Sequence, residues 1–391
     1  MGIIFNKPDM RSALLCIHTR CGKESIIMQD EDRRSKAVEL LAKFAGAHGA
    51  PGREGAVRRI LREELGGNIK TDRMGGAICE KRGSADAPRI MIAAHMDEVG
   101  LMVQSVTKGG LIKFVPVGGW WAHTLLAQRV RIRTQEGVEI LGVIGAKPPH
   151  FLSEGERDKV MKPDDMFIDI GATSADDVLE RFGVQLGDGI TPESPFTPMH
   201  NPDFLLCKAF DDRGGLAIMT HAMLSLESDA HPNTVFGVGT VQEEVGVRGA
   251  RTATHFVNPD LAIVLEGTPA DDLPMMPEDE RQGALGCGVQ IRLMDSSAIM
   301  NLAFARYAIE TAKAHGIRHQ VAVRKSGGTD ASAIHVHGQG VPTIVLGVPA
   351  RYIHTHNTII HMDDYLGALD LTLKLVTGLD EAKARSFTEP D

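Results

Sequence analysis

The chain has 391 residues, 24% of them charged and 43% hydrophobic, with a formal net charge of −9. That is the profile of a soluble globular protein long enough for two domains. It excludes a sequence-independent nucleic-acid binder, which carries a basic excess, and no apolar run approaches the roughly 18 residues of a membrane span. The apolar patch at 13–17 is shorter than the core of about 7–15 residues that a secretion signal needs. Five cysteines (Cys16, Cys21, Cys79, Cys207 and Cys287) are odd in number and scattered. They read as free thiols in a reducing cytoplasm rather than as a disulfide framework or a metal cluster.

Residues 1–29 share no pattern with the rest of the chain and are expected to be a disordered extension, or to lie upstream of a true start at Met28. From Asp30 the periodicity is helical, with Val38, Leu41 and Ala45 on one face. Val57, Ile60, Leu61 and Leu65 mark a second helix, stopped by Gly66-Gly67. Strands are expected at 76–80 and 89–94. Beyond Gly100 come short strand-like runs at 101–106, 111–117, 129–133, 140–144 and 166–170, with one helix at 175–182. Their regular spacing and Gly-rich turns predict a small β-barrel or sandwich at 101–208, inserted into an α/β domain of residues 30–100 and 209–391. After Phe210 the pattern alternates again: helices at 210–224, 301–315 and 365–376, strands at 234–241, 261–265 and 343–346. This predicts a mostly parallel sheet flanked by helices, with any ligand at the carboxyl ends of its strands.

Those strand ends carry the chemistry. His95 and Asp97 are two apart on an extended segment and share a face. A carboxylate so placed can fix the tautomer of a ligating His. Asp211-Asp212 opens a helix, Glu243-Glu244 and Glu266 follow strands, and His354 follows the last one. Each has an ordinary explanation alone: an acidic helix start on the dipole, a solvated Glu-Glu pair, a core histidine. Their recurrence at successive strand ends points to one site. Carboxylates crowded there repel and must take up protons unless cations neutralise them. Mixed His and carboxylate donors suit zinc, cobalt or manganese better than calcium or magnesium. Two such ions, sharing a carboxylate and a water, can polarise a carbonyl and supply hydroxide near neutral pH. Adjacency lets one of Glu243 and Glu244 bind metal while the other moves a proton.

Seven stretches run in a familiar order: A-A-H-M-D-E-V-G at 93–100, G-V-I-G-A-K-P-P-H at 142–150, F-I-D-I-G-A at 167–172, F-D-D-R-G-G at 210–215, V-Q-E-E-V-G-V-R-G-A at 241–250, S-G-G-T-D-A at 326–331 and R-Y-I-H at 351–354. With them the chain resembles the tetrahedral aminopeptidases, the glutamyl-aminopeptidase-like dinuclear metallopeptidases, over roughly residues 38–375. The resemblance implies that His95 and Glu266 hold one metal, Glu244 and His354 the other, and Asp211 bridges both. It implies a strained cis peptide between Asp211 and Asp212, Glu243 as general base, and Asp97 orienting His95. It further implies that the β-rich insertion dimerises and that the dimers build a hollow tetrahedral dodecamer admitting peptides. Two features depart from the family. The Glu266 position is often Asp, and after His354 the chain reads Thr355-His356-Asn357 where many relatives carry a Glu. His356 is therefore an alternative ligand. Gly327-Gly328-Thr329-Asp330 is either a turn presenting backbone N–H groups to a carbonyl or carboxylate or an ordinary helix cap. His150 is structural or lines the cavity.

The sequence thus predicts a cytoplasmic dinuclear aminopeptidase that removes N-terminal residues from small peptides, with no nucleic-acid or membrane partner. The rivals are a metal-dependent deacylase or aminoacylase on the same scaffold, a metal-free glycosidase with two carboxylates, and a non-catalytic assembly protein.

Overall fold

The computed structural model describes residues 31–226 and 231–388. The expectation for residues 1–29 lies outside the described residues. The strands, in chain order, are β1 (Lys70–Thr71), β2 (Ala77–Arg82), β3 (Arg89–His95), β4 (Gly100–Val106), β5 (Ile112–Val117), β6 (Arg129–Arg133), β7 (Glu139–Gly145), β8 (Phe167–Asp169), β9 (Gly189–Pro192), β10 (Thr197–Pro198), β11 (Phe204–Cys207), β12 (Thr234–Thr240), β13 (Leu261–Pro269), β14 (Val289–Met294), β15 (His319–Val323), β16 (Thr343–Arg351) and β17 (Thr358–His361).

An 11-stranded sheet follows the path β1-β2-β12-β3-β13-β16-β17-β11-β10, with β14 and β15 joined at β16. Its centre, β12-β3-β13-β16, is parallel. Antiparallel strands flank that centre on both sides. The apolar run at 90–94 is unbroken because both faces of β3 are covered. Ile90, Ile92 and Ala94 enter one core, Met91 and Ala93 the other, as alternate strand residues must. Helix 31–46 and helices Phe210–Ser225, Leu302–Ala314 and Met362–Gly378 cover the first face; Arg248–Val257 and Ala331–Ile334 cover the second. Phe210–Ser225 is buried almost all round. It approaches β12 so closely that a Cβ at Gly237 would stand 2.7 Å from both Met219 Sδ and Met223 Cγ. No described helix is long and apolar enough to cross a membrane.

Between β3 and the return to the main sheet lies a closed barrel, in the order β4-β5-β8-β7-β6-β9. Leu101, Val103, Ile112, Phe114, Ile132 and Ile168 fill it. The short β9 closes it by pairing with both β4 and β6. The insertion read as 101–208 is shorter in the structure. β10 and β11 already belong to the main sheet, β11 pairing antiparallel with β17. That partner is distant in the chain, so no local pattern announces the pairing.

A buried ionic network lies where the chain leaves the main sheet for the barrel. Glu98, one residue past Asp97, sets its carboxylate oxygens 2.5 and 2.7 Å from Lys208 Nζ and one of them 3.3 Å from Arg213 Nη2. All three side chains are buried. The cations also donate to the carbonyls of Phe44, Ala47 and Gly49. The network thus ties the end of β3 to the turn after helix 31–46 and to the start of Phe210–Ser225. Burial lowers the proton affinity of both Lys208 and Arg213, and Glu98 opposes it. Glu98→Ala would remove the carboxylate that contacts both buried cations, and breaking a buried pair typically costs about 3–5 kcal/mol. Denaturant unfolding of the metal-free protein is expected to show a loss of that size; a loss below about 1 kcal/mol, the range of a surface ion pair, would contradict the role given to this network.

Candidate metal centre

The in-register pairing of β12, β3 and β13 sets their carboxyl ends side by side, with Thr240 opposite His95 and Val264 opposite Ala93. His95 therefore ends β3, Glu266 lies near the end of β13, and Glu243-Glu244 follow β12. Gln242, at φ 57°, turns the chain out of β12 in the left-handed region. The turn is then held by Asp97, whose two oxygens accept the N–H groups of Glu243 (3.0 Å) and Glu244 (3.1 Å). Asp211 lies at a kink at the start of its helix, with non-helical backbone angles (φ −87°, ψ 105°), and is joined to Asp212 by a cis peptide bond. It packs on the backbone of β13, where a Cβ at Gly267 would come 2.6 Å from Asp211 Cα. His354 follows β16 with φ 57°.

Asp211 is the centre of the arrangement. Its Oδ1 is 3.2 Å from His95 Nε2 and its Oδ2 is 3.2 Å from His354 Nε2. His95 Nε2 also stands 3.5 Å from Glu266 Oε1 and 3.9 Å from Glu243 Oε2. His354 Nε2 stands 3.4 Å from Glu244 Oε2. Two donors each about 2.1 Å from one tetrahedral ion are about 3.4 Å apart, so these spacings suit two neighbouring cation sites that share Asp211. One buried oxygen, Glu244 Oε1, has no protein partner. The donor atoms of His95, Asp211 and Glu244 lie within 4.8 Å of one another, as do those of His95, Asp212 and Glu266. Asp212 is better read as a support, because its oxygens already accept the N–H groups of His95 (2.9 Å) and Gly215 (3.1 Å).

Both histidines turn Nε2 to the cluster and are held at Nδ1 by a main-chain carbonyl. For His95 it is the carbonyl of Asp97, at 3.0 Å; the Asp97 carboxylate is farther, at 3.6 Å. Asp97 thus meets His95 first through its backbone, and its carboxylate chiefly orders the Glu243-Glu244 turn. For His354 the acceptor is Gly119 O, at 2.9 Å, on the barrel.

Burial pushes up the carboxyls of Glu243, Glu244 and Glu266, and neighbouring carboxylates add to it, leaving Glu244 at about 7 and Glu266 at about 8. Burial raises Asp211 too, but the two histidines outweigh it and hold this carboxyl well below its usual range. Burial would lower His354; Asp211 and Glu244 reverse that and carry it to about 9. His95 is raised in the same way by Asp211, Asp97 and Glu266. Without cations the cluster retains protons, and two divalent ions would replace them.

A cavity of about 590 Å³ opens over these groups, lined by Asp211, Glu243, Glu244, Glu266 and His354, by Gly327-Gly328, and by Arg292, Arg324 and Ser297. His356 joins neither donor group; it is buried, with its ring 5.5 Å from that of Trp120. His150 is exposed and lines none of this cavity. Sequence reasoning missed Arg292, Arg324, Ser297 and Gly119. Arg292, a charge inside the apolar run of β14, was the one available signal. Asp330, just past the glycine turn, is buried and accepts from Thr240 Oγ1, with its other oxygen unpartnered.

The model of the family described as M42 glutamyl aminopeptidase matches residues 75–371. The chain belongs to that family. It is 37% identical to the glutamyl aminopeptidase of Lactococcus lactis over 337 residues, covering 85% of this chain and 93% of that one. Among solved structures, the TET aminopeptidase of the marine sediment archaeon Thaumarchaeota archaeon SCGC AB-539-E09 superposes with a TM-score of 0.84 at 40% identity, covering 90% and 99% of the two chains. The Pyrococcus horikoshii TET1 peptidase, described as able to assemble into a tetrahedron or a large octahedral shell, gives 0.78 at 32% identity, covering 88% and 100%. The chain is thus an aminopeptidase of a metallopeptidase family, and its own fold is a mixed α/β sheet domain with an inserted closed barrel. The deacylase and glycosidase readings are not favoured.

Because cations would displace protons from Glu244, Glu266 and the two histidines, metal uptake must release protons and weaken as pH falls from about 8 to 6. Calorimetric zinc titrations of stripped protein at pH 7, in two buffers of different ionisation enthalpy, are expected to show release of at least about one proton per subunit. Uptake with no proton release would contradict this electrostatic picture.

Proposed function

We propose that the protein removes single residues from the free N-termini of small peptides, with two divalent metal ions per subunit. His95 and Glu266 would hold one ion and Glu244 and His354 the other, with Asp211 shared. The observation that carries this is the pair of 3.2 Å approaches from the two oxygens of Asp211 to the two Nε2 atoms. When bound, such a pair of ions polarises the scissile carbonyl and acidifies water. Zinc and cobalt suit the His and carboxylate donors best, with manganese a third choice.

The chain's own residues do the rest. Glu243 is the general base: its buried carboxylate takes a proton from the attacking water as the new C–O bond forms. It then delivers that proton to the nitrogen as the C–N bond breaks, so the amine leaves neutral. Asp97 keeps Glu243 and Glu244 in place through their N–H groups. Asp212 does the same for the backbone of His95. The cavity over these groups receives the peptide's first residue, and its wall includes two guanidiniums, Arg292 and Arg324.

The assembly of the TET relatives supports a homo-oligomer, and we assign the dimer contact to the barrel domain within residues 101–208, with a dodecamer built from such dimers. The free thiols of Cys79, Cys207 and Cys287 accord with a cytoplasmic setting.

Glu243→Gln keeps the shape of the side chain and removes its basicity. It is expected to bind metal as the wild type does and to lose at least about 100-fold in kcat, the lower range for a general base. Metal analysis beside steady-state kinetics checks this; a fully active variant would remove Glu243 from the mechanism.

A further inference from the structure

The two candidate cation sites are not built alike. The His95 side is internal to the main domain: its ligand and the carbonyl that holds Nδ1 come from the end of β3, the carboxyls around it come from other strands and from the start of helix Phe210–Ser225, and His95 is 2% exposed. The His354 side is not. His354 sits in a turn after β16 with its side chain 34% exposed. The group that fixes its ring is Gly119 O, on the loop from β5 to β6 of the barrel.

That loop is fitted to the second site in detail. A Cβ at Gly119 would come 3.1 Å from His354 Nδ1, and one at Gly118 would come 2.9 Å from Val99 Cγ1 and 3.4 Å from Glu244 Cβ. Gly118, at φ 94°, has a backbone that glycine alone adopts readily. The two glycines thus lie against both ligands that belong to this site and not to the other. What keeps them there is the next residue. The Trp120 indole Nε1–H donates to Gly100 O at 2.8 Å, and its backbone N–H donates to Gly118 O at 3.2 Å. Its ring lies against His356, two residues past His354, with centroids 5.5 Å apart. One side chain therefore ties the loop back to the chain leaving His95 and also packs on the turn that carries His354.

We propose that Trp120 is a positioning residue for the second metal site: it anchors the barrel loop whose Gly119 carbonyl sets the ring orientation and tautomer of His354. This rests on the dinuclear reading above. A ligating His depends on the acceptor at its other nitrogen, and losing such a partner typically costs 10–100-fold in metal affinity. Trp120 acts one step further back, and its effect falls on one ion of the two.

The test is metal binding, independent of turnover. Stripped wild type, Trp120→Phe and Gly119→Ala are equilibrated against graded free zinc and assayed for bound metal, with cobalt absorption spectra recorded at one and two equivalents. Trp120→Phe keeps a ring against His356 and loses the indole N–H; Gly119→Ala leaves Trp120 in place and crowds His354. Both are expected to bind the first ion as the wild type does and the second about tenfold or more weakly, with a cobalt spectrum altered only in the second equivalent. Wild-type affinity for the second ion in both variants would overturn the proposal, and so would equal weakening of both ions, which is what general damage to the fold produces. A wild type that takes up one ion alone would overturn the dinuclear reading and the proposal with it.

Discussion

Like charges forced together at the end of a parallel sheet are the constraint on which this structure turns. Asp211, Glu243, Glu244 and Glu266 converge on two histidines at the floor of a cavity, and desolvation and mutual repulsion push most of these carboxyls up. Such a cluster is unfavourable unless something holds each group and something neutralises the whole. Holding is done by the chain: Asp97 and Asp212 accept backbone N–H groups, and two carbonyls fix the imidazoles. Neutralising would be the task of bound cations. The Glu98 network lies directly behind. It places an anion between Lys208 and Arg213 and so locks together the two segments that deliver His95 and Asp211.

The architecture follows from that need. A parallel sheet buried on both faces is rigid, and its strand ends present side chains at fixed spacing. Helix Phe210–Ser225 then carries Asp211 in from the side, close enough to β13 that only glycine fits at position 267. The barrel leaves the chain immediately after His95 and Asp97 and returns its Gly119 carbonyl to His354. The insertion is thus part of the site's support as well as a separate folded unit.

The sequence made the fold class and the site region legible where the physics is local. The unbroken apolar run at 90–94 announced a strand buried on both faces. His95-Met96-Asp97 and Glu243-Glu244 stood out because charged groups of metal-ligating type recur at the ends of successive strands. The rest depends on long-range pairing. β9 and β11 are short and ordinary in composition, so neither the closure of the barrel nor the early return to the main sheet could be read. β14, β15 and β17 went unread for the same reason. Asp97 illustrates the limit within the site: alternation put its carboxylate beside His95, yet folding brought the Glu243-Glu244 turn to that carboxylate and left the carbonyl for the imidazole. Gly119 had no signal at all, since its contribution is a main-chain oxygen from another part of the chain.

The most direct measurement is hydrolysis of aminoacyl-nitroanilides beside their N-acetylated counterparts by protein stripped of metal and reloaded separately with zinc, cobalt and manganese. The account predicts that the stripped protein is inactive and that reloading restores cleavage of the free-amino substrates alone. Undiminished activity of the stripped protein, or cleavage confined to the acetylated set, would contradict it.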